Sequence, residues 1–342
     1  MKKSLLALAV LGAFAGAASA QSSVTLFGTV DVSGRYVKAD GQSRRLSEGT
    51  DGLNSSQLGF RGVEDMGGGL KASFTLISGV NPDTGNANQN GKFFNRRSTV
   101  SLLGGFGEVR LGRDYTPSFW NQTIFDAFGT VGLGSSINVR QLYGGTRLDN
   151  SIGYFLPSNM GGFYGQAMVA ASEGGTTLDR GGRYLGGRVG FAAGPFDVSF
   201  AAGQQRLDAL AGAPQQKTYN IGGSYDLGVV KLMGYFDRET LQSQRENMGS
   251  FSVVIPLGQS EIHVGYDRSK YTNSSVSPSL RSSVDQIKAT YQYNLSKRTA
   301  MYATVSRLDN KDNTSLALPG AAGPATVSGK SQGAEFGLRH FF

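Results

Sequence analysis

The sequence lacks cysteine altogether and contains only two histidines, His263 and His340, and one tryptophan. Without cysteine, a disulfide scaffold, a thiolate-bound zinc or iron–sulfur site and a cysteine nucleophile are all excluded. Two isolated histidines and no H-E-x-x-H motif argue against a histidine-based metal site. We therefore expect no metal and no other cofactor.

Long hydrophobic runs and acidic residues are also scarce. Beyond the N-terminus, no stretch approaches the roughly 20 apolar residues that a membrane-spanning helix needs, and the mean hydropathy is −0.22. The 342 residues include 33 Lys and Arg against 25 Asp and Glu, a net charge of +8. Such an excess can indicate nucleic-acid binding, but the N-terminus described next predicts export, so we expect no nucleic-acid partner.

The first twenty residues have the pattern of a secretory signal peptide. Lys2 and Lys3 are followed by an uncharged, nearly apolar run from Leu5 to Ala18. Ala18-Ser19-Ala20 then fits an A-x-A cleavage site. The sequence therefore predicts a signal peptide over residues 1–20 and one further domain over residues 21–342.

Most of the remaining chain alternates between apolar and polar residues with a period of two. Such alternation predicts β-strands with one apolar and one polar face. The clearest runs are Val24-Thr25-Leu26-Phe27-Gly28-Thr29-Val30-Asp31-Val32, Tyr219–Asp226, Glu261–Asp267 and Ile287–Leu295. Helical spacing is almost absent.

Short and long connections between these runs alternate along the chain. Seven short turns rich in Gly, Asn, Ser and Pro alternate with eight polar loops, at 38–54, 80–92, 114–146, 173–181, 207–216, 241–246, 271–282 and 310–332. Fifteen connections predict sixteen strands, and a soluble β-sandwich would not need this regular division. We therefore predict an all-β fold, a sixteen-stranded antiparallel transmembrane β-barrel, closed because lipid does not tolerate an open sheet edge.

Three stretches resemble general porins of Gram-negative bacteria, most closely the neisserial and betaproteobacterial type. They are Gln57–Ala72, Arg96–Leu102 with Gly105–Pro117, and Asp149–Tyr154 with Gly161–Phe163. Their order and spacing, together with the opening and closing strands, extend the resemblance over residues 21–342.

The resemblance implies a homotrimer in the bacterial outer membrane, in contact with its lipid, with a water-filled pore for passive diffusion of small hydrophilic solutes and ions. It implies short periplasmic turns, long extracellular loops and a third loop, about 114–146, that folds inward as the constriction. The alternating last strand ends on Phe342, which resembles the assembly signal that the barrel-assembly machinery reads.

Charged residues at the expected constriction point to an anion preference, because basic pore walls favour anions. Alternation places Arg35, Arg61, Arg97, Arg110, Arg147 and Arg188 on the polar, pore-facing side and Arg96 on the other. Since alternation fails near strand ends, the choice between Arg96 and Arg97 stays open. Anion-preferring relatives carry an arginine cluster that Arg147 and this pair match, but Gln57 stands where arginine is frequent. The loop offers only Asp114 and Asp126 as acids, and we expect Arg140 to oppose them.

Two other functional interpretations remain at this point. A substrate-specific channel for sugars would carry a row of aromatic residues along the pore. The single tryptophan of this sequence gives little support for such a row. A surface-recognition barrel would carry larger loops. An enzyme is not expected: Gly329-Lys330-Ser331 resembles the end of a phosphate-binding loop, but Pro324 occupies the position that requires glycine.

Overall fold

The computed structural model describes residues 23–87, 91–172, 182–207, 214–275 and 280–342, so the predicted signal peptide lies outside the described residues. Antiparallel strands dominate the structure. They are β1 (Ser23–Ala39), β2 (Arg45–Thr50), β3 (Gln57–Gly67), β4 (Leu70–Asn81), β5 (Asn86–Ala87), β6 (Arg97–Gly104), β7 (Gly107–Tyr115), β8 (Arg147–Phe155), β9 (Phe163–Ala170), β10 (Tyr184–Ala193), β11 (Phe196–Arg206), β12 (Gln215–Asp226), β13 (Lys231–Leu241), β14 (Gln244–Leu257), β15 (Ser260–Asn273), β16 (Leu280–Asn294), β17 (Thr299–Asp312) and β18 (Lys330–Phe341). A helix, α1 (Pro117–Ile124), and a 3-10 turn, Ser136–Val139, lie between β7 and β8.

The strands form one closed barrel, because β1 pairs with β18 as well as with β2 and β3. Strands β2 and β3 both pair with β1, on either side of residues 51–56, and are two parts of one barrel strand. Strand β5 adds only a two-residue pairing to β4 inside a loop. The barrel therefore has sixteen strands, which confirms the predicted fold class.

The barrel presents apolar side chains outward and polar side chains inward. In β1, Val24, Leu26 and Val30 are exposed, whereas Asp31 and Ser33 are buried. This polarity is the reverse of a soluble protein and matches a wall with lipid outside and a polar interior. Within the described residues, no helix is long and apolar enough to cross a membrane.

The last residue completes the seam between the first and last strands. The Gly28 N–H donates to the Phe342 carbonyl at 3.1 Å, and the Phe342 N–H donates to the Gly28 carbonyl at 3.2 Å. A Cβ atom on Gly28 would lie only 2.3 Å from the Phe342 ring. Glycine at this position lets the terminal aromatic ring lie against β1.

Several of the predicted long loops overlap the ends of observed strands, and in two of them strand makes up a large part of the segment. The segment predicted as a loop over 241–246 is a two-residue turn, Gln242-Ser243, between β13 and β14. Within the predicted loop 38–54, Arg45–Thr50 forms β2. Both segments are polar on both faces, which resembles a loop in sequence, but strands that continue beyond the lipid are wet on both faces and keep their ladder hydrogen bonds.

Candidate pore constriction

The segment between β7 and β8 lies inside the barrel, against the inner wall. Its helix α1 begins after Thr116, whose Oγ1 accepts a hydrogen bond from the Phe119 N–H at 3.3 Å, a helix N-cap followed by proline at the first position. Asn121 Nδ2 donates to Asn220 Oδ1 at 2.9 Å and to the Ser199 carbonyl at 3.1 Å. These contacts attach the helix to β11 and β12.

An apolar cluster fills the space between this loop and the wall. Phe125, Leu133 and Val139 of the loop are buried together with Tyr235 and Met248 of the barrel. Because burial of each large apolar side chain contributes about 1.5–3 kcal/mol, the cluster holds the loop in one position inside an otherwise polar lumen.

Arg140 does not oppose the loop acids, contrary to the expectation from sequence. It is fully buried and forms ion pairs with Asp237, with Glu239 at 2.9 Å and with Glu246 at 3.8 Å. Burial acts to lower the pKa of Arg140, but the three carboxylates more than offset it and raise this pKa above its usual value. Arg140 therefore anchors the end of the loop to β13 and β14.

Asp126 is also a structural residue and does not line the open pore. Its carboxylate accepts hydrogen bonds from the Phe128 N–H at 3.0 Å and the Ser136 N–H at 3.4 Å. Lys288 Nζ lies 3.7 Å from Asp126 Oδ1 and 2.7 Å from Asp267 Oδ2, and all three side chains are fully buried. The pore-facing role predicted for Asp126 is thus corrected: its carboxylate is buried beneath the loop, beside a lysine that it shares with Asp267.

Asp114 is neutralised as well. Arg97 Nε lies 2.8 Å from Asp114 Oδ1, and Arg110 pairs with Asp114 and with Glu108. The Asp114 side chain is 2 % exposed. Both acids expected to face the pore are therefore buried in ion pairs, and these pairs also engage Arg97, Arg110 and Lys288. The charge that faces the open space at the constriction comes from other residues.

A cavity of about 410 Å³ lies between the loop and the wall formed by β1 and β3. Its basic lining residues are Arg96 and Arg147, and Gln57 lies on the same cavity. Arg147 Nη2 donates to the Tyr115 hydroxyl at 2.7 Å, and its guanidinium lies 4.3 Å from the centre of the Tyr115 ring. Among the described residues, neither Arg96 nor Arg147 has a carboxylate within ion-pairing distance.

Arg96 and Arg97 both lie on the inner side of the barrel. Arg97 pairs with Asp114 and lies 5.7 Å from the rings of Tyr115 and Trp120, whereas the Arg96 side chain lines the cavity. Alternation placed Arg96 on the outer face, because it assumed a regular strand, and the choice between the two arginines therefore stayed open. Arg96 precedes the first residue of β6, and the register of the adjoining β7–β8 pair shifts between Gly112 and Asp114.

The other predicted arginines lie away from this cavity. Arg35 is buried in an ion pair with Glu335 at 2.8 Å, and Arg61 lies inside the barrel over the Phe27 ring at 5.3 Å. Arg188 lies 5.0 Å from the Tyr164 ring. Alternation along the strands places these three side chains on the inner face of the barrel, but it does not indicate which of them reaches the cavity.

Sequence reasoning missed two residues near the cavity. Asp51 is its only carboxylate among the described lining residues. Arg339 Nη1 donates to Asn54 Oδ1 at 3.0 Å, beside the same wall segment. Arg339 alternates in phase with Glu335 and could have been found from the last strand, whereas Asp51 lies in an irregular segment that carries no such signal.

A closed barrel with an apolar exterior, a polar interior and an inward loop beside a basic cavity defines a membrane channel. No group of three or more potential metal ligands occurs in the parts of the chain that the structure describes. The chain belongs to the Gram-negative porin family, whose model matches residues 7–313.

Relatives and solved structures agree with this assignment. Outer membrane porin protein 32 of Delftia acidovorans is 41% identical over the whole of both chains. An outer membrane porin protein of Bordetella pertussis is 32% identical over 70% of each chain. The anion-selective porin from Comamonas acidovorans has a TM-score of 0.84 at 37% identity, covering 94% of this chain and 100% of that one. The protein is therefore an outer-membrane channel of a Gram-negative bacterium, and the family it belongs to consists of channels rather than enzymes.

Proposed function

We propose that this porin conducts small hydrophilic solutes passively and prefers anions. The observation that carries the proposal is the pair Arg96 and Arg147, which line the cavity with no carboxylate partner among the described residues. Arg147 is held over an aromatic ring, so a cation–π contact fixes its position without cancelling its charge. The printed description of the Comamonas acidovorans porin as anion-selective agrees with this preference.

The size of the preference follows from simple electrostatics. A unit charge 4–8 Å from a permeating ion in partly screened water contributes about 0.5–1 kcal/mol. Two such arginines favour anions by a few-fold to about tenfold, and added salt weakens the bias because it screens the charges. The buried ion pairs of Asp114 and Asp126 engage these two carboxylates together with their partners Arg97, Arg110 and Lys288, so Arg96 and Arg147 determine the sign of the preference.

A reversal potential measured in a salt gradient, on the purified protein in a planar bilayer, tests the proposal. We expect a reversal potential whose sign shows that anions permeate more readily than cations. Its size should be largest at low salt, where the arginine charges are least screened. A cation-selective channel would contradict it.

Substrate specificity, the second candidate, rests on Tyr115, Phe119 and Trp120, which line the same cavity. If a neutral sugar at millimolar concentration blocked half of the ion current, that result would support this second candidate.

Replacing Gln57 with arginine should strengthen the anion preference. Gln57 lines the same cavity as Arg96 and Arg147, so a third cation there adds about 0.5–1 kcal/mol. The reversal potential should move further towards that of a purely anion-selective pore. Gln57→Met, of similar length and no charge, is the control and should leave it nearly unchanged. An unchanged potential in Gln57→Arg would place this residue outside the conducting path.

We further propose that the mature chain begins near residue 21 and assembles as a homotrimer. An SDS gel of unheated protein should show an SDS-resistant oligomer, because closed barrels have no free edge to open. Boiling should convert it to an unfolded monomer that migrates faster than the oligomer. Light scattering in mild detergent should give the mass of three chains. A monomeric mass in mild detergent would refute the trimer.

Phe342 should be needed for assembly and not for export. Its deletion removes both backbone hydrogen bonds to Gly28 and the ring that lies against it, so we expect a several-fold lower amount in the outer membrane. Fractionation of cells expressing each variant provides the measurement. Phe342→Tyr keeps the ring and the backbone pairing and should assemble normally. If the truncated chain reached wild-type amounts, the assembly role would be wrong.

A further inference from the structure

The barrel strand that comprises β2 and β3 is interrupted by residues 51–56. Strand β1 pairs with Thr50 through Val32 and with Gln57 through Thr29, so these six residues stand opposite only two residues of β1. The excess chain leaves the sheet and projects into the lumen, where it borders the cavity beside the infolded loop. We call residues 51–56 the inner segment.

Asp31 of β1 attaches the inner segment to the barrel wall. Its Oδ2 atom accepts hydrogen bonds from the N–H groups of Leu53 at 2.8 Å and Asn54 at 2.7 Å, and its Oδ1 atom accepts one from the Tyr302 hydroxyl at 2.5 Å. The Asp31 N–H also donates to Ser56 Oγ at 3.0 Å. Because Asp31 is fully buried, where a charge is costly unless hydrogen bonds compensate it, these contacts hold the carboxylate and the inner segment in one arrangement.

The inner segment is packed between the wall and the infolded loop. A Cβ atom on Gly132 of the loop would lie 2.2 Å from the Gly52 carbonyl oxygen, so the two backbones are in direct contact. A Cβ atom on Gly52 would lie 1.9 Å from the Tyr302 hydroxyl oxygen, on the side of the wall. Tyr302 is itself buried and bonded to Asp31, so a side chain larger than that of glycine at position 52 would force the segment away from the wall.

Asp51 places a negative charge at the cavity that Arg96 and Arg147 line. Its φ is 62°, a value that residues other than glycine keep only where the surrounding structure holds it. The Asp51 N–H donates to the Asp31 carbonyl at 3.1 Å, and Asp51 Oδ1 accepts a hydrogen bond from the Ser56 N–H at 2.7 Å. Because charges of opposite sign partly cancel at a permeating ion, the position of this carboxylate determines how strongly the arginines attract anions.

We infer that Asp31 is a positioning residue for ion selectivity, which holds the inner segment so that the Asp51 carboxylate opposes Arg96 and Arg147 at their shared cavity. Asp51 is then a specificity-determining residue, and the inner segment is a second wall element of the constriction beside the infolded loop. The inference rests on the proposed function, because it takes this cavity as the conducting path.

The reversal potential of Asp51→Asn, measured on the purified full-length porin in a planar bilayer with a salt gradient, tests the role of Asp51. We expect the anion-to-cation permeability ratio to rise about two- to fivefold, because one carboxylate no longer opposes the arginines. Ser55→Ala, a neutral change in the same inner segment and at the same cavity, is the control and should leave the ratio unchanged.

A double-mutant comparison tests the positioning role of Asp31. Asp31→Asn alone should shift the reversal potential in the same direction as Asp51→Asn, because the released carboxylate of Asp51 moves into water and is screened. Added to Asp51→Asn, the same change should produce no further shift. Gly52→Ala changes no charge and should act in the same way, because its methyl group collides with Tyr302. Gly105→Ala, at a short turn where a Cβ atom meets nothing within 4 Å, should have no effect.

The outcomes separate this inference from the proposed function. Equal shifts by Asp31→Asn with and without Asp51→Asn would overturn the positioning role, since Asp31 would then act through its own charge. A shift on replacing Arg147 but none in Asp51→Asn would overturn the inference and leave the proposed function intact. A cation-selective wild type in which Asp51→Asn still moves the potential towards anions would support the inference and contradict the proposed anion preference.

Discussion

Replacing Arg96 and Arg147 together with glutamine should abolish the anion preference of the channel and bring its reversal potential in a salt gradient to zero or to the cation side. The two arginines are the basic residues that line the cavity beside the infolded loop. Once they are removed, Asp51 is the remaining charged group among the described lining residues. Its carboxylate then attracts cations without competition.

The expected change is large because two positive charges are lost and the carboxylate of Asp51 is no longer opposed by them. Each lost cation contributes about 0.5–1 kcal/mol, so the anion-to-cation permeability ratio should fall by a few-fold to tenfold. Arg61→Gln is the matched control, since Arg61 lies inside the barrel over Phe27 and does not line the cavity. It should shift the potential much less. If Arg61→Gln had the larger effect, the selectivity filter would lie nearer the short-turn end.

Replacing Arg140 with glutamine should loosen the infolded loop. The substitution leaves Asp237, Glu239 and Glu246 buried beside one another without their shared cation. Removing one partner of a buried ion pair costs about 3–5 kcal/mol, which is comparable to the combined contribution of two of the buried apolar side chains that hold the loop. We expect a larger and noisier single-channel current and a lower melting temperature.

A compensated variant separates repulsion from a general loss of packing. Arg140→Gln combined with Asp237→Asn and Glu239→Gln removes the excess negative charge that the single change exposes. This variant should recover most of the quiet, wild-type conductance. Equal noise in the single and compensated variants would mean that Arg140 acts through its size alone.

The fold could be predicted from sequence because contact with lipid requires an apolar side chain at every second position of each strand. An outer face of Val24, Leu26 and Val30 and regular turns between such runs determine the strand number without any knowledge of side-chain partners. The same reasoning was wrong for the turn at Gln242-Ser243. Beyond the lipid, strands and loops have the same polarity, and alternation no longer distinguishes them.

The candidate site could be predicted only as a set of residue types. Arg140 pairs with Asp237, 97 residues away, and Asp126 lies beside Lys288, which comes from another strand. Such partners depend on which strands the loop crosses inside the barrel, and no local pattern encodes that path. Arg96 was left open for a different reason, since strand alternation carries no information before the first ladder residue.

The seam between Gly28 and Phe342 joins residues 314 positions apart in the chain. Such long-range pairing forms slowly, because the entropy of bringing distant segments together must be overcome before their contacts contribute. Until the last strand has been made, β1 presents an unpaired edge, and an unpaired edge can add strands from any neighbouring chain. A chain whose barrel has not yet closed is therefore exposed to aggregation through this edge. Pairing of Gly28 with Phe342 removes that edge, so closure of the seam protects the sheet as well as completing the pore wall.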